Sequence, residues 1–371
     1  MGPKKIVVSI NASWNIVNFR MGLLRALLAR GHEVAALAPR DAWSDRLAEA
    51  GVEYHAIEMD KKGVSPLRDA ALFLAYRKAL RRLRPDVFLG YTAKPNVYGS
   101  LAAQGVGARV INNVSGLGTA FIREGLLTRI VSALYRLAFR RSARVFFQNG
   151  EDLALFVERG LVAADKAGLL PGSGIDLDRF AAAPPNIRAA GEIVFLLPAR
   201  LLRDKGVGEY VEAARRLRAE VPKARFQLLG FVDADNRTAI SRAELDAWVE
   251  EGVVEYLGVA DDVRPHIAAA DCVVLPSYRE GLPRALLEGA AMARPLIASD
   301  VPGCRHVVRD GVNGLLCRVR DSDSLLAAMR RMAAGDPAQR HAWGEAGRDI
   351  VEREYDEKIV IARYVEAIEA D

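Results

Sequence analysis

Short aliphatic or β-branched runs alternate with helix-length amphipathic stretches along this chain, and the alternation is made twice. In the first pass, strands are predicted near residues 6–10, 33–38, 87–90, 109–113 and 145–147, with helices near 19–30, 66–83 and 126–141. In the second, strands are predicted near 193–197, 226–229, 253–256, 272–275 and 296–298, separated by helices near 207–220, 241–249, 263–269 and 285–292. Such alternation points to a parallel sheet, because parallel neighbours need a crossover, and crossover helices cover both faces. Between the passes lie Pro171-Gly172-Ser173-Gly174 and then residues 181–185, a small-residue and proline stretch suited to a linker. The expected fold is α/β, two doubly wound Rossmann-like domains facing a cleft. The domains are predicted at residues 1–172 and 191–352, the linker at 173–190, and a C-terminal helical segment at 353–371. The helices predicted at 337–354 and 357–369 have no sheet partner in the pattern, and one can cross back onto the first domain. Ligands of open parallel sheets bind beyond the carboxyl ends of the strands, so the cleft is the expected site.

Composition excludes several classes. At 371 residues, 51% hydrophobic and 27% charged, the chain can bury two cores and is neither a tail nor a small module. No apolar run approaches the roughly 20 residues of a membrane span. Residues 6–10 give way at once to Asn11 and Ser13, leaving no apolar core for a signal peptide, so a cytosolic chain is expected. Cys272, Cys304 and Cys317 are odd in number and lack C-x-x-C spacing, so reduced core thiols are expected rather than disulfides or a metal site. Charge is split unevenly. Residues 1–185 hold 26 Lys and Arg against 16 Asp and Glu, net +10, and residues 186–371 hold 26 against 31, net −5. The first half is therefore expected to meet an anionic partner.

Two segments carry chemistry. After the first strand of the second domain comes Pro198-Ala199-Arg200-Leu201-Leu202-Arg203-Asp204-Lys205-Gly206, leading into a helix. Cations, a glycine and a helix N-terminus together favour a phosphate group, which makes Arg200 and Lys205 candidates for a diphosphate; a solvated basic turn is the alternative. The second segment, Pro276-Ser277-Tyr278-Arg279-Glu280-Gly281-Leu282-Pro283-Arg284-Ala285-Leu286-Leu287-Glu288, follows the strand at 272–275. Pro283 suits the first turn of a helix, leaving Glu280 in the loop and Glu288 inside the helix. An all-helical segment would separate the two carboxylates by roughly 12 Å, beyond the roughly 5–9.5 Å of ordinary glycosidases. That counts against hydrolysis.

Glu280 and Glu288, spaced Glu-x7-Glu and downstream of Arg200 and Lys205, resemble the retaining nucleotide-sugar glycosyltransferases of the GT-B fold, family 4. The likeness runs over nearly the whole chain. It is nearest to bacterial enzymes that extend polyprenyl-diphosphate-linked oligosaccharides for capsule, O-antigen or protein glycosylation, on Asn18-Phe19-Arg20, Gly116-Leu117-Gly118-Thr119-Ala120-Phe121, Gly230-Phe231-Val232-Asp233 and Asp300-Val301-Pro302-Gly303-Cys304-Arg305. The resemblance implies an acceptor-binding first domain and a nucleotide-sugar-binding second domain. Arg200 and Lys205 would hold the leaving diphosphate, Glu280 the sugar hydroxyls and Glu288 the ribose. Backbone N–H groups of Gly281 and Leu282 would complete the phosphate seat, with Gly230 and Tyr256 on the donor side, the chain near residues 256–258 covering the base. No cofactor and no metal are implied, the nucleotide sugar, expected to be UDP-linked, being a substrate. Where many members carry a histidine after a first-domain strand, this chain has Ser115, and Ser115 and Lys94 stand as substitutes.

A basic helix is the remaining feature. Arg129, Arg136 and Arg140 lie seven and four apart, on a different face from the stripe of Leu127, Ile130, Val131, Leu134, Leu137 and Ala138. Arg77, Lys78, Arg81, Arg82 and Arg84 form a second cluster. Aromatics do not interleave with either, so nucleic acid is the weaker partner and an anionic membrane surface the expected one. Arg20 is a further candidate for the acceptor diphosphate, with a structural salt bridge as its alternative. The expected activity is transfer of a hexose or N-acetylhexosamine to a polyprenyl-diphosphate-linked saccharide at the cytosolic membrane face; a nucleotide-sugar 2-epimerase and a catalytically silent membrane-docked protein are the competing readings.

Overall fold

The computed structural model describes residues 2–60, 65–116, 125–189, 191–232, 236 and 238–370. The chain divides into two compact units, Met1–Gly174 with Glu357–Asp371, and Ile175–Asp356.

Seven parallel strands form the sheet of the first unit: β1 (Lys5–Ser9), β2 (Glu33–Ala38), β3 (Glu53–Ala56), β4 (Val87–Tyr91), β5 (Arg109–Val114), β6 (Arg144–Phe147) and β7 (Ala167–Leu169). Their order is β3-β2-β1-β4-β5-β6-β7, so the winding direction reverses between β1 and β4. Val7 lies opposite both Ala35 and Phe88, and residues 6–8 are fully buried. A strand covered on both faces has no solvent side, which is why it reads as a continuous apolar run. One face packs Ile6, Val8, Leu89 and Ile111 against the helices Met21–Ala29 and Glu357–Glu369. On the other, Val7, Leu37, Phe88 and Val110 lie beneath Pro66–Leu83, and Val145 and Phe147 beneath Leu126–Phe139.

In the second unit the strands are β8 (Ile193–Pro198), β9 (Ala224–Leu229), β10 (Glu255–Tyr256), β11 (Cys272–Leu275), β12 (Leu296–Ser299) and β13 (Gly314–Cys317), all parallel, in the order β10-β9-β8-β11-β12-β13. Its reversal falls between β8 and β11. Helices Val207–Glu220 and Ser322–Ala334 cover one face, Arg284–Ala291 and Pro337–Glu354 the other.

Several elements differ from the sequence expectation. Strands β3, β7 and β13 were not expected; each lies at a sheet edge, is only three or four residues long, and gives too short an apolar run to register. The helix predicted at 19–30 is two helices, Ser13–Phe19 and Met21–Ala29, broken at Arg20, whose φ of −133° and ψ of −2° are not helical. Pro283 lies outside its helix, as an extended N-cap with ψ 114°, and the helix starts at Arg284. The chain leaves Pro337–Glu354 and returns to the first unit as Glu357–Glu369. There Val360, Tyr364 and Ile368 enter the core, and Arg30 pairs with Glu369 at 3.0 Å.

Candidate active site

The loops that leave β8 and β11 flank the reversal point of the second sheet, where open sheets of this kind bind ligands. β8 passes through residues 199–202 into a single tight turn, Arg203–Lys205, and reaches Gly206 in the left-handed region at φ 72° before the helix Val207–Glu220 begins. A Cβ at Gly206 would lie 2.2 Å from the Pro276 carbonyl oxygen, so only glycine lets the two loops touch. Across the same seam the Tyr278 N–H donates to the Asp204 carbonyl at 2.9 Å. This contact brings the Lys205 ammonium and the Glu280 carboxylate into a direct ion pair, with 21% and 13% of their side chains exposed. Arg200 stands exposed in the same loop, its carbonyl accepting from the Leu202 N–H at 2.8 Å.

Gly230 closes a third side of this edge. At φ 150° it approaches so near that a Cβ would fall 1.9 Å from the Ala199 carbonyl oxygen. Its N–H donates to the Gly258 carbonyl at 2.8 Å, and its carbonyl accepts from the Tyr256 hydroxyl at 2.9 Å. Tyr256 is thus tied to the loop after β9, and the chain at residues 256–258 is fixed beside the loop after β8.

Glu288 has a partner of its own, distinct from the Lys205–Glu280 pair. It lies within the helix Arg284–Ala291, and Arg284, four residues earlier on the same face, donates to it through Nε at 2.9 Å. Burial pushes its carboxyl upward, Arg284 and Arg179 oppose the shift, and Asp262 adds to it. Gly281 and Leu282 are half-buried in the loop between the two glutamates. Three groups given no role from sequence belong to this edge. Arg284 was legible as an i, i+4 partner of Glu288. Tyr278 donates its hydroxyl to Glu209 at 2.6 Å, lies 4.6 Å beneath the Arg320 guanidinium, and is pushed up to about 12 by burial and by Glu209. Cys304, buried close to Glu280 and Lys205, has its thiol pushed up by burial. Cys272, Cys304 and Cys317 are free and buried.

The first-unit candidates are scattered. Lys94 pairs with Asp69 at 2.8 Å, and Tyr98 donates to the same carboxylate at 3.1 Å. Ser115 is exposed at the end of β5. Residues 117–121 of the glycine motif and Asp233 lie outside the described residues. Arg20 makes no salt bridge among the described residues; its guanidinium lies over the Tyr91 ring at 4.5 Å. Arg129, Arg136 and Arg140 are all exposed, yet Arg136 donates to the carbonyls of Gly160 and Arg159 at 3.0 Å each, which gives it a structural task at the end of the helix Gly150–Glu158. On the same helix as these arginines Ile130 and Leu137 are 50% and 54% exposed, so its apolar residues do not all face the core as the sequence stripe implied. No helix among the described residues is long and apolar enough to cross a membrane.

Residues 192–334 match the family of glycosyl transferases group 1, and residues 16–172 match the glycosyl transferase 4-like domain. The N,N'-diacetylbacillosaminyl-diphospho-undecaprenol alpha-1,3-N-acetylgalactosaminyltransferase of Campylobacter jejuni is 28% identical over 96% of each chain. The UDP-Gal:alpha-D-GlcNAc-diphosphoundecaprenol alpha-1,3-galactosyltransferase of Escherichia coli is 24% identical over 73% of this chain and 72% of its own. Among solved structures, Anabaena HepE in complex with UDP and glucose superposes with a TM-score of 0.80 at 17% identity, over 99% of this chain and 100% of its own. Sucrose-phosphate synthase from Thermosynechococcus elongatus superposes with a TM-score of 0.77 at 18% identity over 98% of each chain.

Proposed function

The chain belongs to the family 4 glycosyltransferases of the GT-B fold, and from that premise we propose that it moves a hexose or N-acetylhexosamine, with retention, from a UDP-sugar to a polyprenyl-diphosphate-linked saccharide. The observation that carries the reading is the Lys205–Glu280 ion pair, made by the loops after β8 and β11 at the reversal point of the second sheet. A leaving diphosphate develops negative charge, and a preorganised ammonium at that point stabilises it. Without donor, Glu280 neutralises Lys205. With donor, the diphosphate takes the ammonium, assisted by Arg200 and the N–H groups of Gly281 and Leu282, and frees the carboxylate to accept from sugar hydroxyls. Glu288, steadied by Arg284 through one oxygen, keeps the other for the ribose hydroxyls, and the segment from Tyr256 onward, beside Gly230, covers the base. No metal is needed in this scheme, since Lys205 and Arg200 neutralise the leaving group.

The acceptor reading is supported by the two relatives whose names specify undecaprenol diphosphate acceptors, one of them matching over 96% of the chain. Both are transferases, which favours transfer over epimerisation or silence. Access to a lipid-linked acceptor fits the helix Leu126–Phe139, whose exposed Ile130 and Leu137 accompany the exposed Arg129 and Arg140; we place this helix on the anionic cytosolic face of the membrane.

A thermal-shift series with UDP, GDP and ADP and their sugars tests the donor, because a ligand that binds only the folded chain raises its melting temperature. UDP and a UDP-hexose or UDP-N-acetylhexosamine are expected to give the largest shift, reduced in Lys205→Ala. A larger shift with GDP or ADP would overturn the donor assignment. Release of an epimeric UDP-sugar in the absence of acceptor would instead favour the isomerase.

A further inference from the structure

One buried charge in the first unit has no carboxylate partner among the described residues. Arg20 sits at the break between the helices Ser13–Phe19 and Met21–Ala29 with 6% of its surface exposed. Its guanidinium lies over the Tyr91 ring at 4.5 Å, its Nε makes no hydrogen bond, and Nη1 reaches only the Phe19 carbonyl, at a long 3.4 Å. Among the described residues no carboxylate is seen to pair with Arg20; the Glu357 carboxylate lies over Gly22, in the first turn of the helix that follows. Guanidinium groups keep their charge across the working pH range, and a buried charge left without a counter-ion is costly.

The surroundings of Arg20 are also incomplete. Tyr91 ends β4, one of the two strands between which the first sheet reverses. Thr92 follows at φ 60°, a left-handed conformation unusual for a β-branched residue. The Thr92 hydroxyl is buried without a hydrogen-bond partner, and the buried Tyr91 hydroxyl has only the Tyr364 hydroxyl near it, outside good hydrogen-bond geometry. Burial pushes the Tyr91 phenol well up, so it remains a neutral donor. Behind it the returning C-terminal helix places Tyr364 at 6.0 Å from Tyr91, ring to ring, and the Tyr364 hydroxyl accepts from Asn113 at 3.0 Å. A cation without a carboxylate, a Thr92 hydroxyl without a partner, a Tyr91 hydroxyl poorly satisfied by Tyr364 and a strained backbone thus converge where the sheet's winding places ligands.

We propose that Arg20, with the hydroxyls of Tyr91 and Thr92, is an anion seat for the diphosphate of an isoprenoid-diphosphate acceptor. The inference rests on the reading of the chain as a transferase to such acceptors. It makes a distinctive demand: removing the charge must relieve the empty protein while impairing the liganded one.

Farnesyl diphosphate, inorganic pyrophosphate and farnesol serve as probes in calorimetry and thermal shift, each with saturating UDP so that the second-unit seat is already filled. Wild type is expected to bind farnesyl diphosphate and pyrophosphate but not farnesol, which assigns the contact to the diphosphate rather than the chain. Arg20→Met is expected to melt at or above the wild-type temperature and to bind both anions at least about tenfold more weakly. Arg20→Lys keeps the charge without the fork and Tyr91→Phe keeps the packing without the hydroxyl; each is expected to lose several-fold in affinity. Should Arg20→Met fail to fold, these two variants decide the matter. Unchanged affinity in the folded variants, or no anion binding by wild type, overturns the seat. The two proposals fail separately: transfer to a lipid-linked saccharide that is indifferent to Arg20→Met removes the seat alone, whereas Arg20-dependent anion binding without any transfer to such an acceptor removes the acceptor reading alone.

Discussion

The two sheets share a winding pattern, yet their units differ in how many of their cations they neutralise themselves. In the second unit many arginines are matched internally, among them Arg215 with Glu251, Arg225 with Glu255, Arg242 with Asp246, and Arg330 with Glu220, all within 2.6–2.8 Å. In the first, Arg77, Lys78, Arg81, Arg84, Arg129 and Arg141 form no ion pair among the described residues. Net charge alone, +10 against −5 by halves, could have meant only that one half holds more lysine and arginine; the halves hold 26 each. What differs is the supply of carboxylates. Many of the second unit's cations are met by its own carboxylates, and the pairs at Lys205 and Arg284 are less exposed than these four. The first unit also pairs Lys5, Arg30, Arg40, Arg68 and Lys94 with its own carboxylates, but leaves this set of exposed cations without such partners.

The sharpest way to break this contrast lies in the second unit. Lys205→Ala is expected to lower turnover by about 10²–10³-fold with the melting temperature nearly unchanged, as removal of one preorganised donor to a developing charge does elsewhere. Near-normal turnover in steady-state assays would remove Lys205 from the chemistry. Next in size, Glu288→Gln is expected to weaken UDP roughly tenfold, the scale of one charge-assisted hydrogen bond, whereas Glu280→Gln should spare free UDP and slow transfer. Calorimetry with UDP separates the two.

Glu288 also carries a pH signature. Burial raises its carboxyl, so the native state holds this proton at pH values where the unfolded chain has released it. Its contribution to stability is therefore present below the ordinary carboxylate range and lost as pH rises through the raised value. Melting curves from about pH 4 to pH 8 should show that loss in wild type and a flatter profile in Glu288→Gln. An identical slope in both would mean that Glu288 ionises as an ordinary surface carboxylate.

In the first unit the expected effects are smaller. Arg129→Gln with Arg140→Gln should weaken sedimentation with anionic vesicles by about 1 kcal/mol per charge, and high salt should erase the difference. Arg136 is left in place because it anchors the neighbouring helix. Equal binding to neutral and anionic vesicles would make this face merely solvated. Smallest of all, Glu255→Gln, at an exposed pair with Arg225, should leave the melting temperature unchanged within error; a clear drop would show that the second unit's pairs are cooperative.

The central strands, the helices Pro66–Leu83 and Val207–Glu220, and the placement of Glu280 in a loop and Glu288 in a helix were all legible, because strands buried on both faces and long amphipathic helices leave strong periodic signals. Edge strands such as β3 were not, since half of their residues need no apolar side chain. Lys205 and Glu280 were readable as residue types at a strand end, but their pairing depends on the close approach of Gly206 to Pro276, seventy positions away and without local trace. The break at Arg20 was hidden for a similar reason. A helical sequence runs straight through it, and the Tyr91 ring that gives the side chain its place lies on a distant strand.

UDP titrated calorimetrically into wild type, Lys205→Ala and the Arg129→Gln/Arg140→Gln variant tests the division of labour most directly. Lys205→Ala is expected to bind at least about tenfold more weakly and the first-unit variant to bind as wild type does. If Lys205→Ala keeps full UDP affinity, or if the first-unit variant loses it, the nucleotide is not held at the β8 and β11 loops.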